Sequence, residues 1–364
     1  MRVTTALPYT DWRQCGPAAA QAEADGFDGV TVPELAHDPF IPLAMGALGS
    51  SKIELASSVA IAFPRSPMIV ANLAWDLAVN SGGRFTLGLG TQVKPHNERR
   101  FSVPWISPAP RLAEYVQALR AIWRCWEKGE KLDFKGKFYT FNLMTPEFSP
   151  KPAGLPMVPV MIAAVGPEMQ KTAARHCDGV RLHGFATRQY VEQVVRPLLA
   201  SELEKSGRGF EHFEVTGGGF IATGPDAATV RAAAEKIRYR VAFYGSTPAY
   251  RGVFDVHGVT DLGVKLHEAS RRGEWATMAS LVPDYVLDLF CARATYDKLP
   301  RVIADRFGGI ADAVGIEFLP GDDVRTRRKV LDGLKEIPSR FKGFKTSWGF
   351  NNNSEVATSS ATPT

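Results

Sequence analysis

The sequence predicts an α/β fold, a (β/α)8 TIM barrel with insertions, and three observations predict it. Strand-like runs alternate strictly with helix-like runs from Arg2 onward, the pattern of a parallel sheet covered by helices. Met68 to Leu89 reads as one complete unit: an apolar helical run to Val79, the breaker Ser81-Gly82-Gly83, then a short buried strand from Phe85 to Leu89. Counting such units along the chain gives about eight, the number a closed barrel requires. Barrels of this kind place their chemistry on the loops that follow the strands, and here the polar loop Thr91 to Arg100 follows.

The elements follow in order. Arg2 to Ala6 is a β-branched strand, with Pro8 to Thr10 as its loop. Ala18 to Ala24 is an alanine-rich helix closed by Gly26. Phe27 to Val32 is the second strand, and its loop runs from Pro33 to Phe40. A helix follows over Ile41 to Leu48, then a third strand over Ile53 to Ile61. Arg111 to Trp126 carries Leu112, Tyr115, Val116, Leu119, Ile122, Trp123 and Trp126 at helical spacing, a stripe that belongs in a core. Lys131 to Phe141 reads as a hairpin around Gly136. Val158 to Ala163, Asp178 to His183 and Phe213 to Thr223 are further strands, with helices over Glu168 to His176, Arg188 to Lys205 and Asp226 to Phe243. Gly245 to Pro283 breaks the rhythm and reads as an insertion, either a lid or an oligomer contact. Pro300 to Phe307 is the last long barrel helix before the closing strand, Ala313 to Phe318. One domain is expected over residues 1–345, followed by a disordered Ser/Thr/Asn-rich tail over 346–364.

Composition narrows the function classes. With 364 residues and 45% hydrophobic content the chain builds a large core. The net charge of +5 is dispersed, and its densest cluster, Arg325 to Lys329, reads as a solvated helix face, so no nucleic-acid partner is expected. Neither a membrane-spanning run nor a signal pattern is visible. The four cysteines, Cys15, Cys125, Cys177 and Cys291, lack C-x-x-C spacing and read as free thiols in a reducing compartment. A cytoplasmic protein, a homodimer acting on a small molecule, is the expectation. No H-E-x-x-H, Walker lysine or G-x-S-x-G motif occurs, which removes support for zinc hydrolysis, ATP use and triad chemistry, and no metal site is expected.

Candidate site residues lie after the strands. His37, between Glu34 and Asp38, suits acid–base work, with Glu34 orienting it. Equally open is that Asp38 caps the next helix with Pro39 at its first position while His37 only packs. Glu34 has a second reading too, as a buried partner for Arg65 or Arg84. Gly88 and Gly90 either admit a ligand or simply allow close packing. Their spacing is no dinucleotide fingerprint, since Val93 stands where a third glycine belongs. Gly166-Pro167 opens a helix whose free N–H groups suit a phosphate, or is merely proline at a first turn. Arg65, Lys94, His96, Arg99 and Arg100 are cations suited to an anionic ligand.

Ser81-Gly82-Gly83-Arg84-Phe85-x-Leu87-Gly88-Leu89-Gly90 resembles the signature of the bacterial-luciferase-like oxidoreductases, as does Ala163-Ala164-Val165-Gly166-Pro167 followed by Cys177-Asp178-Gly179-Val180. His37-Asp38-Pro39-Phe40, Ala62 to Met68, Gln92 to His96, Leu143 to Pro146 and Ala242 to Tyr250 are similar to a group within it that depends on coenzyme F420. The likeness covers roughly residues 1–320. It implies a luciferase-like barrel holding F420, or alternatively FMN, at the strand ends. It implies a cis peptide at Ser58-Val59 behind the cofactor ring, and Gly90, Thr91, Gln92 and His96 along it. Val165, Gly166, Pro167 and His183 fall on the loops that hold its phosphate and side chain. The implied reaction is F420-dependent hydride transfer with a small organic substrate. The alternatives are an FMN monooxygenase and a cofactor-binding barrel without turnover. Leu35 supports the last, because it follows Glu34 where many F420-dependent dehydrogenases carry a catalytic histidine; Gln92 and Val93 likewise replace an acidic residue usual at the fourth strand's end.

Overall fold

The computed structural model describes residues 1–346, so the expected tail lies, beyond Thr346, outside the described residues. Eight parallel strands close a barrel: β1 (Arg2–Ala6), β2 (Gly29–Val32), β3 (Glu54–Ser57), β4 (Phe85–Gly90), β5 (Val160–Ala164), β6 (Gly179–Leu182), β7 (Glu214–Gly217) and β8 (Ala313–Gly315). Each pairs with its sequence neighbour among these eight, and β8 returns to β1 through Arg2–Ala313 and Val3–Val314. Ala60–Ile61 extends the third strand's path and pairs with Leu89 and Gly90.

Local chemistry explains most boundaries. Asp11 caps the helix Trp12–Asp25 by accepting from the Arg13 N–H, and Gly26 ends it at φ 100, where a side chain would be strained. Ser66 caps Pro67–Asn80, with Pro67 in the first turn. The expected aromatic stripe is the buried face of Pro108–Lys128. From it, Trp123 Nε1 donates to the Ala71 carbonyl (3.2 Å) and the Tyr115 hydroxyl donates to the Arg65 carbonyl (3.0 Å). That helix thus reaches from the outer layer to the loop after β3.

Two expectations need correction. The strand expected over Phe213 to Thr223 is two strands, because Gly217 (φ 83) and Gly218 (φ 102) take the chain through the left-handed region and out of the barrel. The second piece, Phe220–Gly224, pairs in parallel with Cys291–Thr295, a strand the sequence reading missed. Its sequence, Cys-Ala-Arg-Ala-Thr, carries little β-branched content, so tertiary pairing overrides propensity there. The departure from barrel rhythm is therefore wider than Gly245 to Pro283. Between β7 and β8 the chain forms this strand pair, the helix Ala227–Gly245 and four shorter helices, Arg251–Asp255, Thr260–Arg271, Asp284–Phe290 and Leu299–Phe307. Ile237, Val241, Phe254, Leu266, Leu287 and Phe290 build a second apolar cluster with Phe185 of the barrel. The entry and exit of this excursion are clasped. The Asp312 N–H donates to the Val215 carbonyl (2.7 Å), and the Asp312 carboxylate accepts from the Val215 N–H (2.9 Å).

The barrel interior is polar at its N-terminal end. Arg2 bridges Glu214 (2.8 Å) and Glu54 across the barrel floor, above a void of only about 20 Å³. All four cysteines are free thiols. Among the described residues no helix is long and apolar enough to cross a membrane.

Candidate functional site at the barrel mouth

The loop after β2 is held by charge. Glu34, with its side chain 8% exposed, accepts from the Ile61 N–H (2.7 Å) and from Arg65 Nη1 (2.8 Å). Arg65 also donates to Asp38 through Nη2 (2.7 Å) and to the Ile61 carbonyl (3.0 Å). A buried carboxylate needs such partners, and an arginine fork supplies them. Glu34 therefore orients Arg65, and among the described residues it makes no hydrogen bond to His37. Arg84 is engaged elsewhere, with the carbonyls of Ala47, Ser50, Ile53 and Ser81. Asp38 does cap the following helix, accepting from the Phe40 N–H (2.8 Å), with Pro39 at the N-cap rather than the first helical position. His37 is exposed, and its ring tilts 60° against Tyr9 at 6.0 Å. Arg65, expected among the cations for an anionic ligand, is neutralised internally.

The third and fourth strands meet without room for side chains. Ser57 Oγ donates to the Gly88 carbonyl (2.8 Å) and accepts from the Gly88 N–H (2.9 Å). A Cβ on Gly88 would collide with the Ser57 carbonyl, and one on Gly90 would lie 2.7 Å from Val59 Cγ2. Close packing thus claims both glycines, and Gly90 can offer a ligand only its backbone. The Ser58–Val59 peptide is cis, at the positions the resemblance singled out. Beyond Gly90, Thr91 and Gln92 are half-buried, and Gln92 sits at φ 58. The fully buried Asn97 donates to the carbonyls of Thr91 (2.8 Å) and Val93 (3.2 Å) and pins this loop from below. His96 is exposed, and Arg100 donates to the Leu35 carbonyl (2.8 Å), tying the fourth loop to the second.

After β5, Gly166 occupies the N-cap of the helix Pro167–His176, and among the described residues no side chain caps that end. A Cβ on Gly166 would meet nothing within 4 Å. Gln170 donates to the Val165 carbonyl (2.9 Å), which holds the loop still, and Glu168 is drawn to Lys171 (2.7 Å). First-turn N–H groups with open space before them fit an anion.

After β6 comes His183, whose Nδ1 accepts from the Phe185 N–H (2.9 Å). Tyr244 packs edge-on at 4.3 Å and Tyr250 at 5.2 Å. Burial pushes the His183 pKa down to about 4. The ring is therefore neutral at pH 7, and with Nδ1 accepting, the hydrogen sits on Nε2. His183 is a hydrogen-bond donor that brings no charge. Tyr244 and Tyr250 had only their place in the Ala242 to Tyr250 stretch to mark them.

A cavity of about 620 Å³ opens at the mouth. Strand ends supply Thr5, Thr31 and Gly217; the helix Ala227–Gly245 supplies Lys236 and Arg240. Gly217 is paired with Leu182, directly before His183, and Thr31 lies three residues before Glu34. The cavity walls include none of the expected site residues. Strand order groups those residues into two arcs, one after β2 to β4 and one after β5 and β6, while the cavity occupies the arc of β7, β8, β1 and β2. The signal for the cavity's cations was in the sequence, as Lys236 and Arg240 one turn apart on a helix read only for its length.

A family model described as luciferase-like monooxygenase matches residues 2–310. An uncharacterized protein of Mycobacterium tuberculosis is 46% identical over 297 residues, covering 82% of this chain and 87% of that protein. The 5,10-methylenetetrahydromethanopterin reductase of Archaeoglobus fulgidus is 26% identical over 332 residues, covering 88% and 93%. The coenzyme F420 dependent tetrahydromethanopterin reductase from Methanopyrus kandleri superposes with a TM-score of 0.72 at 19% identity, covering 92% of this chain and 97% of that one.

Proposed function

The chain belongs to the luciferase-like monooxygenase family, and we propose that it transfers hydride between coenzyme F420 and a small organic substrate held in the barrel mouth. One juxtaposition carries this reading: an uncapped helix end at Gly166-Pro167 and a neutral imidazole N–H at His183, on the loops after adjacent strands, at the end of the barrel where a ligand-sized cavity opens. An anion and a polar heterocycle are the two ends such a cofactor presents. F420 is favoured by a Mycobacterium tuberculosis relative named as a putative coenzyme F420-dependent oxidoreductase, 27% identical over 292 residues. The family's description as monooxygenases supports the second reading, FMN with oxygen chemistry.

When bound, the deazaflavin supplies the hydride chemistry. The first-turn N–H groups after Gly166 would hold the phosphate. His183 Nε2–H would orient the cofactor by a hydrogen bond that adds no charge. Ser58-Val59, Gly90 to Gln92 and His96 would hold the rest of it. His37 gives or takes the substrate proton at a ring nitrogen, while Arg65, locked by Glu34 and Asp38, holds the loop that carries it. The Phe220, Phe307 and Phe318 walls exclude water from the mouth.

The test is titration of the full chain with F420 and with FMN, followed by absorbance, then oxidation of reduced F420 against a panel of ketones, aldehydes and imines. F420 is expected to bind more tightly than FMN, and failure to bind either rejects the assignment. On a substrate found this way, His37→Ala should lower turnover on the order of 10²–10⁴-fold with cofactor affinity intact. Normal turnover would leave His37 as a packing residue.

A further inference from the structure

Two cations at the barrel mouth serve no purpose in the fold. Lys236 and Arg240 project from one face of the helix Ala227–Gly245, their Cβ atoms about 6 Å apart, and both line the 620 Å³ cavity. Among the described residues neither has an ion-pair or hydrogen-bond partner. Arg238, on the same helix, shows the contrast: it is paired with Glu235 (2.9 Å) and Asp284 and donates to the Val282 carbonyl (2.5 Å). The structural arginine found its carboxylates, and the cavity cations face open space.

The rest of the cavity completes a recognition surface. Thr5, Thr31 and Thr223 line it, and Thr223 Oγ1 is buried with no hydrogen-bond partner among the described residues. Phe220, Phe307 and Phe318 supply apolar wall. Gly219 also lines the cavity, and Arg306 Nη2 stands 3.1 Å from where a Cβ on Gly219 would be, a third cation behind the wall. Among the described residues the one carboxylate in the lining is Glu317. Positive charge beside apolar surface attracts an anion more strongly than the same charge in open water.

We propose that the barrel mouth selects an anionic substrate, a carboxylate or phosphate monoester on an apolar body, through Lys236 and Arg240. The proposal rests on the mouth being the reaction site, and it names that site's substrate class. The same anionic oxygens could arrive on the acidic tail of F420, so the experiment separates the two sources.

Calorimetry on the full chain uses hexanoate, hexyl phosphate and neutral hexanamide as probes. At least one anionic probe should bind about tenfold or more tighter than hexanamide, the scale of one charge-assisted contact. The double variant Lys236→Gln, Arg240→Gln should erase that preference, and Glu317→Gln should strengthen anion binding. F420 affinity should be unchanged in the double variant. Equal binding of hexanamide, an unaltered double variant, or weaker anion binding after Glu317→Gln would each overturn the proposal. Parallel loss of F420 affinity would place the pair on the cofactor's tail and overturn the substrate assignment. Pair-dependent anion binding in a protein that takes neither F420 nor FMN would sustain the anion site while the proposed reaction falls.

Discussion

Both ends of the barrel hold an arginine bridging two carboxylates, and both hold a half-buried neutral histidine. At the floor, Arg2 joins Glu54 and Glu214, and His176 closes the helix leading into β6. At the mouth, Arg65 joins Glu34 and Asp38, and His183 follows β6. What differs is space: about 20 Å³ beneath against about 620 Å³ above. Shared charge chemistry therefore does not mark the working end. At the floor Arg2 pairs with Glu54 and Glu214 while Arg181 Nε is buried without a partner among the described residues, and burial pushes the Glu214 carboxyl above its ordinary value despite the opposing pull of Arg2 and Arg181. At the mouth the same device fixes a loop beside a cavity, the arrangement expected where barrels place their chemistry.

Substitutions can break this comparison. Arg2→Leu strands Glu214 at the floor and should cost about 3–5 kcal/mol of stability, while cofactor affinity per folded molecule stays unchanged. Chemical denaturation alongside cofactor titration reads both, and a loss of affinity with full stability would dissolve the division between the ends.

Acid should act on both ends alike. Burial lowers the pKa of His183 to about 4; burial, helped by Arg120, Arg175 and Arg208, lowers that of His176 to about 4. The unfolded chain takes up these protons below about pH 6.5, the folded chain only near 4. The stabilisation from the neutral rings is thus complete above pH 6.5 and is lost as pH falls towards 4, up to about 3 kcal/mol for each. Melting temperatures from pH 7 to 4.5 should show this slope, and His183→Gln should reduce it. An unaltered slope in that variant would remove His183 from the account.

Arg65→Met is the mouth's counterpart of the floor variant. It should cost about 1–3 kcal/mol, because Glu34 keeps the Ile61 N–H, yet lower turnover more than Arg2→Leu does. Equal turnover in the two variants would deny the mouth its special standing. The smallest effect belongs to Gly166→Val. Its φ of −86 suits any residue and its surroundings are open, so the barrel should keep its stability. Cofactor affinity should fall about tenfold through crowding of the phosphate position, and unchanged affinity would move that position elsewhere.

The barrel was legible because its code is local: apolar runs of strand length, breakers such as Ser81-Gly82-Gly83, and a helix-closing residue such as Gly26. The excursion was less so. Cys291–Thr295 becomes a strand only because Phe220–Gly224 lies beside it, a long-range fact that no window of sequence contains. At the site, the sequence offered Arg65 or Arg84 for Glu34, and geometry alone chose Arg65. The loops proposed to hold the cofactor were legible only as glycine- and proline-rich strand ends. Which pieces share a cavity was not, since strand closure brings Thr5, Thr223 and Glu317 to one wall from three distant stretches.

The clasp between Val215 and Asp312 has a consequence for how this architecture diversifies. Because the excursion leaves and re-enters at hydrogen-bonded neighbours, its ends are fixed whatever lies between them. Lengthening such a closed segment costs only logarithmically in chain entropy, about 0.6 kcal/mol per doubling. The stretch from Gly218 to Ala311 is thus a replaceable cartridge: it brings Lys236, Arg240 and Thr223 to the mouth, while the loops after β2 to β6 stay with the barrel. Exchanging it between relatives would replace the cations at the mouth and, with Tyr244 and Tyr250, the packing around His183, while the strands that close the barrel stay as they are.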